Sequence, residues 1–121
     1  MALLENDSGK LNVSEIGLTY EEINMFDCIV KVKKIRKGNI YDLELIGKNR
    51  IETCKLWGLH TPDSVELENF LKEEMVGKHF YAIGYPTTRD EHCSYYCDIY
   101  LKQGKELRDL LIENGYVNTD F

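Results

Sequence analysis

The sequence predicts a mainly β fold: a small five-stranded barrel carrying two helices, in the order β-β-β-α-β-β-α. Three observations carry that prediction. Three apolar-polar alternating runs follow one another between residues 26 and 59, separated by tight turns at glycine. One stretch of helical spacing then runs to Gly77. Two more strand-like runs and a second helical stretch end at Gly115.

Each element has its own signal. From Phe26, Cys28, Val30 and Val32 alternate with Lys31 and Lys33, the period of a half-buried strand. Lys37-Gly38-Asn39 is a turn. Tyr41, Leu43 and Leu45 alternate with Asp42 and Glu44 in the second strand, and Gly47-Lys48-Asn49 turns the chain again. Residues 51–59 read as the third strand, so the three form a meander. Thr61-Pro62-Asp63 opens a helix, because proline is tolerated in a first helical turn. Asp63 with Glu66 three residues on fits a capping box. Leu67, Phe70, Leu71 and Met75 share one face, and Gly77 ends the helix. Residues 78–85 and 94–101 are the fourth and fifth strands. Residues 105–114 form the second helix, with Leu107, Leu110 and Leu111 on its buried face. This order suits an OB-type barrel.

The expected organisation is an arm, residues 1–24, followed by one domain, residues 25–121. The arm is acidic, with Glu5, Asp7, Glu15, Glu21 and Glu22 against Lys10 alone, and its apolar periodicity is poor. A chain of 121 residues is one domain's worth and buries a core without metals or disulfides. At 43% hydrophobic and 30% charged, the composition is globular. The net charge of −6 argues against a strong general grip on nucleic acid, which needs surplus Lys and Arg to neutralise phosphate. Cys28, Cys54, Cys93 and Cys97 are too few and scattered for a disulfide framework. No run approaches a membrane span, and the first ten residues do not read as a signal peptide. The expectation is an intracellular protein of a reducing compartment with no membrane association, no cofactor and no small-molecule substrate.

The stretch Lys-Leu-Trp-Gly-Leu-His-Thr-Pro-Asp, from Lys55 to Asp63, resembles the staphylococcal nuclease segment that reads Arg, four mostly apolar residues, then Asp-Thr-Pro-Glu. The segment from Asp98 to Tyr116 resembles that family's last strand, hairpin and leucine-rich helix with its closing glycine. The helix and strand between them also fit. The resemblance covers about residues 26–117 and implies a staphylococcal nuclease-like barrel. It also implies a chemistry: carboxylates hold calcium, a Glu helps activate water, and two Arg clamp the phosphate.

Position by position, the chain departs from that chemistry. The metal-binding Asp-Gly-Asp-Thr turn becomes Lys37-Gly38-Asn39-Ile40. The next metal-binding Asp is His60, a poor calcium ligand. The first clamping Arg is Lys55, which keeps the charge and loses the bidentate fork. The Glu becomes Asp63, and the second Arg falls at Ser94. The long loop typical of active members, between Asp63 and the helix, is missing. Loss of one such electrostatic group typically costs roughly 10²–10³ in rate, and several are lost together. The resemblance therefore implies a degenerate module, like barrels of this fold in larger proteins such as Tudor-SN that bind RNA or proteins. It also extends to nuclease-like proteins of large DNA viruses.

Three further features stand out. Lys31, Lys33, Lys34, Arg36 and Lys37 put five cations in seven residues, a candidate site for an anion or an acidic partner. The alternative is the solvent side of a strand. Tyr81, Tyr85, Tyr95, Tyr96 and Tyr100 cluster late in the chain, either as a contact surface or as strand packing. His92, Cys93 and Cys97 have zinc-like spacing, but only one such pair exists. Trp57, the sole tryptophan, lies beside the family's active-site stretch. The expected function is a non-catalytic module that docks on protein partners in a larger assembly such as a virion. RNA or DNA binding through the basic hairpin is the alternative, and residual calcium-dependent cleavage the third reading.

Overall fold

A computed structural model describes residues 24–60, 64–116 and 118–119. Asn24 is the only residue of the expected arm among them, and Asp63 lies outside them. Five strands close into a barrel in the order β1-β2-β3-β6-β5: β1 Phe26–Lys37, β2 Ile40–Leu45, β3 Arg50–Leu56, β5 His79–Pro86 and β6 Tyr95–Tyr100. All neighbours are antiparallel except β3 and β6, which run parallel.

Strand β1 closes the barrel because it serves two partners. Residues 26–31 pair with β5 and residues 30–37 pair with β2. The ladder with β2 slips between Val32 and Lys34, leaving Lys33 and Lys34 both exposed and returning Ile35 to the core. An inserted residue bends a strand and raises its twist, the deformation a small barrel needs at its corner. The bend is tied down where Val32 bonds the chain after the first helix, its carbonyl accepting from Gly77 N at 2.8 Å.

Inward-facing residues follow the two-residue period: Tyr41, Leu43 and Leu45 on β2, Cys54 and Leu56 on β3, Tyr95, Cys97 and Ile99 on β6. Tyr41 is fully buried, and its hydroxyl donates to the Gly38 carbonyl at 2.6 Å, which satisfies the polar tip inside the core. Gly84 of β5 faces the Phe26 ring so closely that a Cβ there would lie 2.0 Å from ring carbon Cε2. Only glycine fits that approach.

Helix α1, Val65–Met75, packs on β1 through Leu67, Leu71 and Met75. Its cap is Ser64 rather than the expected Asp63: the Ser64 Oγ accepts from Leu67 N at 3.1 Å. Helix α2, Leu107–Glu113, packs on β6 and starts two residues later than the sequence pattern indicates. A 3-10 turn, Lys102–Gly104, and a bridge between Tyr100 and Glu106 occupy the intervening chain. Phe70 of α1 stacks on Tyr116, three residues beyond α2, with 5.3 Å between centroids.

The expected third strand, 51–59, is broken. Gly58 adopts a φ of +73°, which turns the chain after Leu56. Beyond it, β4, Leu59–His60, pairs with β7, Asn118–Thr119, in a separate two-stranded sheet. Among the described residues no helix is long and apolar enough to cross a membrane.

Candidate functional site

The family-derived positions gather at one end of the barrel. Asn39 sits in the β1–β2 turn, Lys55 on β3, His60 on β4, and Ser94 immediately before β6. Backbone bonds hold them in register: Leu56 N donates to Asn39 O at 2.9 Å, and Ser94 N to Thr53 O at 2.9 Å.

The Asn39 and Lys55 side chains are used internally. Asn39 is buried, and its Nδ2 donates to Leu59 O at 3.3 Å, which ties the hairpin turn to β4. A carboxylate there has no proton to give and would face a carbonyl oxygen. Lys55 lies 3.6 Å from the Asp90 carboxylate, which belongs to the β5–β6 loop folded over it. Asp90 also accepts from His92 N at 2.8 Å and from the Tyr96 hydroxyl at 3.2 Å. These groups hold its pKa below the usual carboxylate range, the His92 N–H most strongly. The loop neck is closed by Thr87 N donating to Ser94 O at 2.9 Å. Ser94 itself is exposed.

The five-cation run of β1 is not one uniform patch. Arg36 Nε donates to Asp42 at 2.7 Å, and Thr53 Oγ1 shares the same carboxylate oxygen at 2.8 Å. Those bonds, that from Arg36 first, keep the Asp42 pKa low. Lys33 lies 3.8 Å from Glu44. Among the described residues, Lys31, Lys34 and Lys37 make no ion pair.

The tyrosines divide by strand alternation. Tyr95 points inward, its ring edge-on to Phe26 at 5.1 Å. Tyr96, Asp98 and Tyr100 face outward, opposite Tyr85, Ile83 and Tyr81 of β5 in register. Trp57 joins this outer face. Its backbone N–H donates to Cys97 O at 3.1 Å, and Arg108 of α2 donates to its carbonyl at 3.4 Å. That places the indole 5.5 Å from the Tyr96 ring, tilted by 52°. Trp57 is 54% exposed and Tyr85 44% exposed, so neither is a core residue.

Trp57, Tyr85, Tyr96 and Asp98 line a cleft of about 390 Å³. The Asp98 carboxyl is half-buried and makes no hydrogen bond or ion pair with a described residue. Burial raises its pKa, nearby Glu106 adds to the rise, and Arg108 opposes it. Arg108 is engaged elsewhere, donating to Glu106 at 2.8 Å. The cleft therefore presents aromatic walls and one unneutralised carboxylate.

The cysteines do not gather as the zinc-like spacing indicates. Cys97 points into the barrel beside Cys54, and His92 is exposed. Hydrogen bonding to Cys97 and burial push the Cys54 thiol far up, and burial pushes Cys93 up to about 11. Cys28 is half-buried. Among the described residues no three metal-binding side chains come together.

Sequence reasoning found the Lys55 stretch and the tyrosine cluster and missed Asp98 and Asp90. Alternation through 95–100 carried the signal for Asp98, because it puts Tyr96, Asp98 and Tyr100 on one face. No local pattern marks Asp90 as the partner of Lys55, because Lys55 lies on a different strand. Neither a protein-family model nor a curated protein matches this chain.

Proposed function

We propose that this chain is a non-catalytic module with an OB-type, staphylococcal nuclease-like barrel, which docks a protein partner as a component of a larger assembly such as a virion. The barrel order, with β3 and β6 as its one parallel pair, supports the topology. The observation that carries the docking reading is the company the exposed aromatics keep. Trp57, Tyr85 and Tyr96 share a cleft with the unpaired Asp98 carboxylate, whereas the neighbouring Lys55 is held by Asp90. Such a face repels a phosphate chain and accepts an amphipathic or cationic protein surface. Tyrosine and tryptophan are the side chains most used in such contacts.

The non-catalytic half of the reading rests on Asn39 and Lys55. One is an amide donor bonded to backbone and the other a cation turned to an internal carboxylate. Neither is arranged to hold calcium or to clamp a phosphate in flight. The second reading, nucleic-acid binding through β1, is favoured by Lys31, Lys34 and Lys37, which carry no ion pair among the described residues.

Site-specific photo-crosslinking separates the two. A photoreactive phenylalanine analogue at position 85 is expected to capture a protein that binds the wild-type chain again when both are purified. The same analogue at position 34 is expected to capture little. Cross-links to nucleic acid, or capture confined to position 34, contradict the docking reading. Calcium-dependent DNA cleavage that stops on chelation contradicts the non-catalytic half.

A further inference from the structure

The cleft has a more specific chemistry than a general sticky surface. Its walls are three aromatic rings from three places in the chain: Trp57 after β3, Tyr85 near the end of β5 and Tyr96 at the start of β6. Among the described residues its one charged lining group is Asp98. The volume, about 390 Å³, lies at the small end of ligand sites. It fits a side chain rather than a whole domain edge.

Aromatic faces carry negative electrostatic potential and attract cations, tryptophan most strongly. The cation has to be one that sheds water readily and gains from contact with rings. A plain lysine ammonium is strongly hydrated and brings three donors. Among the described lining residues Asp98 is the single carboxylate available to receive them. Methylation removes those donors, spreads the charge over methyl groups and gives the head an apolar surface that matches ring faces. The unpaired carboxylate at the same cleft adds a fixed negative charge without demanding a directional bond. Arg108, the nearest competing cation, is held by Glu106 and by the Trp57 carbonyl.

We propose that Trp57, Tyr85, Tyr96 and Asp98 form a cage for a methylated lysine side chain on a partner protein. This rests on the protein-docking reading and names the feature of the partner that is recognised. Asp98 supplies charge complementarity, and the three rings supply cation–π contact and exclude the shorter or more hydrated side chains. The backbone bond from Trp57 N to Cys97 O anchors the main chain, and contact with the Tyr96 ring places the indole wall, which limits the ordering needed on binding.

The test uses the full chain and a set of otherwise identical short peptides. They carry unmodified, monomethyl-, dimethyl- or trimethyl-lysine, or an uncharged tert-butyl isostere of trimethyl-lysine. Trp57 is the only tryptophan, so its fluorescence reports the cleft directly. The expected result is saturable quenching by the di- or trimethyl peptide, about tenfold tighter than by the unmodified peptide or the uncharged isostere. Asp98→Asn and Tyr85→Ala each weaken the methylated peptide by about tenfold, and both keep the wild-type circular dichroism spectrum. Asp98→Asn keeps the side-chain shape and removes only the charge, so its loss of binding is not a loss of fold.

Equal affinity for the uncharged isostere, or for unmodified lysine, overturns the cage. So does quenching by choline-headgroup vesicles in preference to every methylated peptide. If no peptide binds while the position-85 cross-link to a purified partner persists, the cage fails and the docking reading stands. If an oligonucleotide quenches Trp57 in place of the peptides, both fail.

Discussion

The barrel end that carries Asn39 and Lys55 and the outer face that carries Trp57 and Asp98 lie side by side and handle charge in opposite ways. At the barrel end two described side chains in positions drawn from the resemblance have internal partners, Asn39 on Leu59 O and Lys55 on Asp90, while Lys37 and Ser94 are exposed. Asp42, on the neighbouring strand, is likewise held by Arg36 and Thr53. On the outer face large aromatic groups are exposed, and a half-buried carboxylate has no bonded partner among the described residues. Satisfied groups stabilise a fold and are unavailable to a ligand. Unsatisfied groups cost stability and are retained where binding uses them. The contrast therefore separates a region whose polar groups are used internally from the exposed face proposed for docking.

Four substitutions and one pH experiment sharpen that contrast. Asn39→Asp should have the largest effect, a loss of about 1–3 kcal/mol, because it sets a buried charge against a carbonyl in place of a donor. Urea denaturation reads it, and unchanged stability would contradict the structural role of this position. Asp42→Asn removes the charge from the group that receives Arg36 and Thr53, and should cost about 1 kcal/mol by the same measurement. Lys55→Met should cost less than about 1 kcal/mol, since the pair with Asp90 is partly exposed and 3.6 Å apart. It should leave partner capture from position 85 unchanged.

Asp98→Asn is expected to change stability in the other direction. It removes a desolvated charge, so the variant should melt at or above the wild-type temperature while binding is lost. A clear drop in melting temperature would place Asp98 among the structural groups instead.

The two carboxylates should also oppose each other in pH dependence. Asp42 has a lowered folded pKa, so its contribution is present above the ordinary carboxylate value and is lost as pH falls through the folded value. Asp98 has a raised folded pKa. The folded state holds that proton longer than the unfolded chain, so wild-type stability falls as pH rises through the raised value. Measured against their asparagine variants, the two difference curves should slope in opposite senses. Curves of the same sign would collapse the distinction between the two regions.

Much of the barrel was legible because half-buried strands write their burial into a two-residue period. Tyr41, Leu43 and Leu45 read correctly for that reason. The bulge in β1 was harder, since Lys33-Lys34 looks like two solvent residues until Ile35 is seen returning to the core. The β4–β7 pair was not legible at all, because two-residue strands carry no period and their partners lie far apart in the chain. The site divided the same way. Lys55 and Asn39 were found through a resemblance, but what they bind depends on contacts from Asp90 and Leu59 that no local pattern encodes. The five tyrosines form one cluster in the sequence; alternation along β6 separates buried Tyr95 from outer Tyr96, and only the register of β5 against β6 sets Tyr85 beside Tyr96.

The most direct test of the central claim is a titration of Trp57 fluorescence with a single-stranded oligonucleotide at low salt, where phosphate contacts are strongest. An aromatic face that carries an unpaired carboxylate should give no saturable response. Saturable quenching that weakens steeply as salt is added would show that the face stacks bases, and would contradict the account.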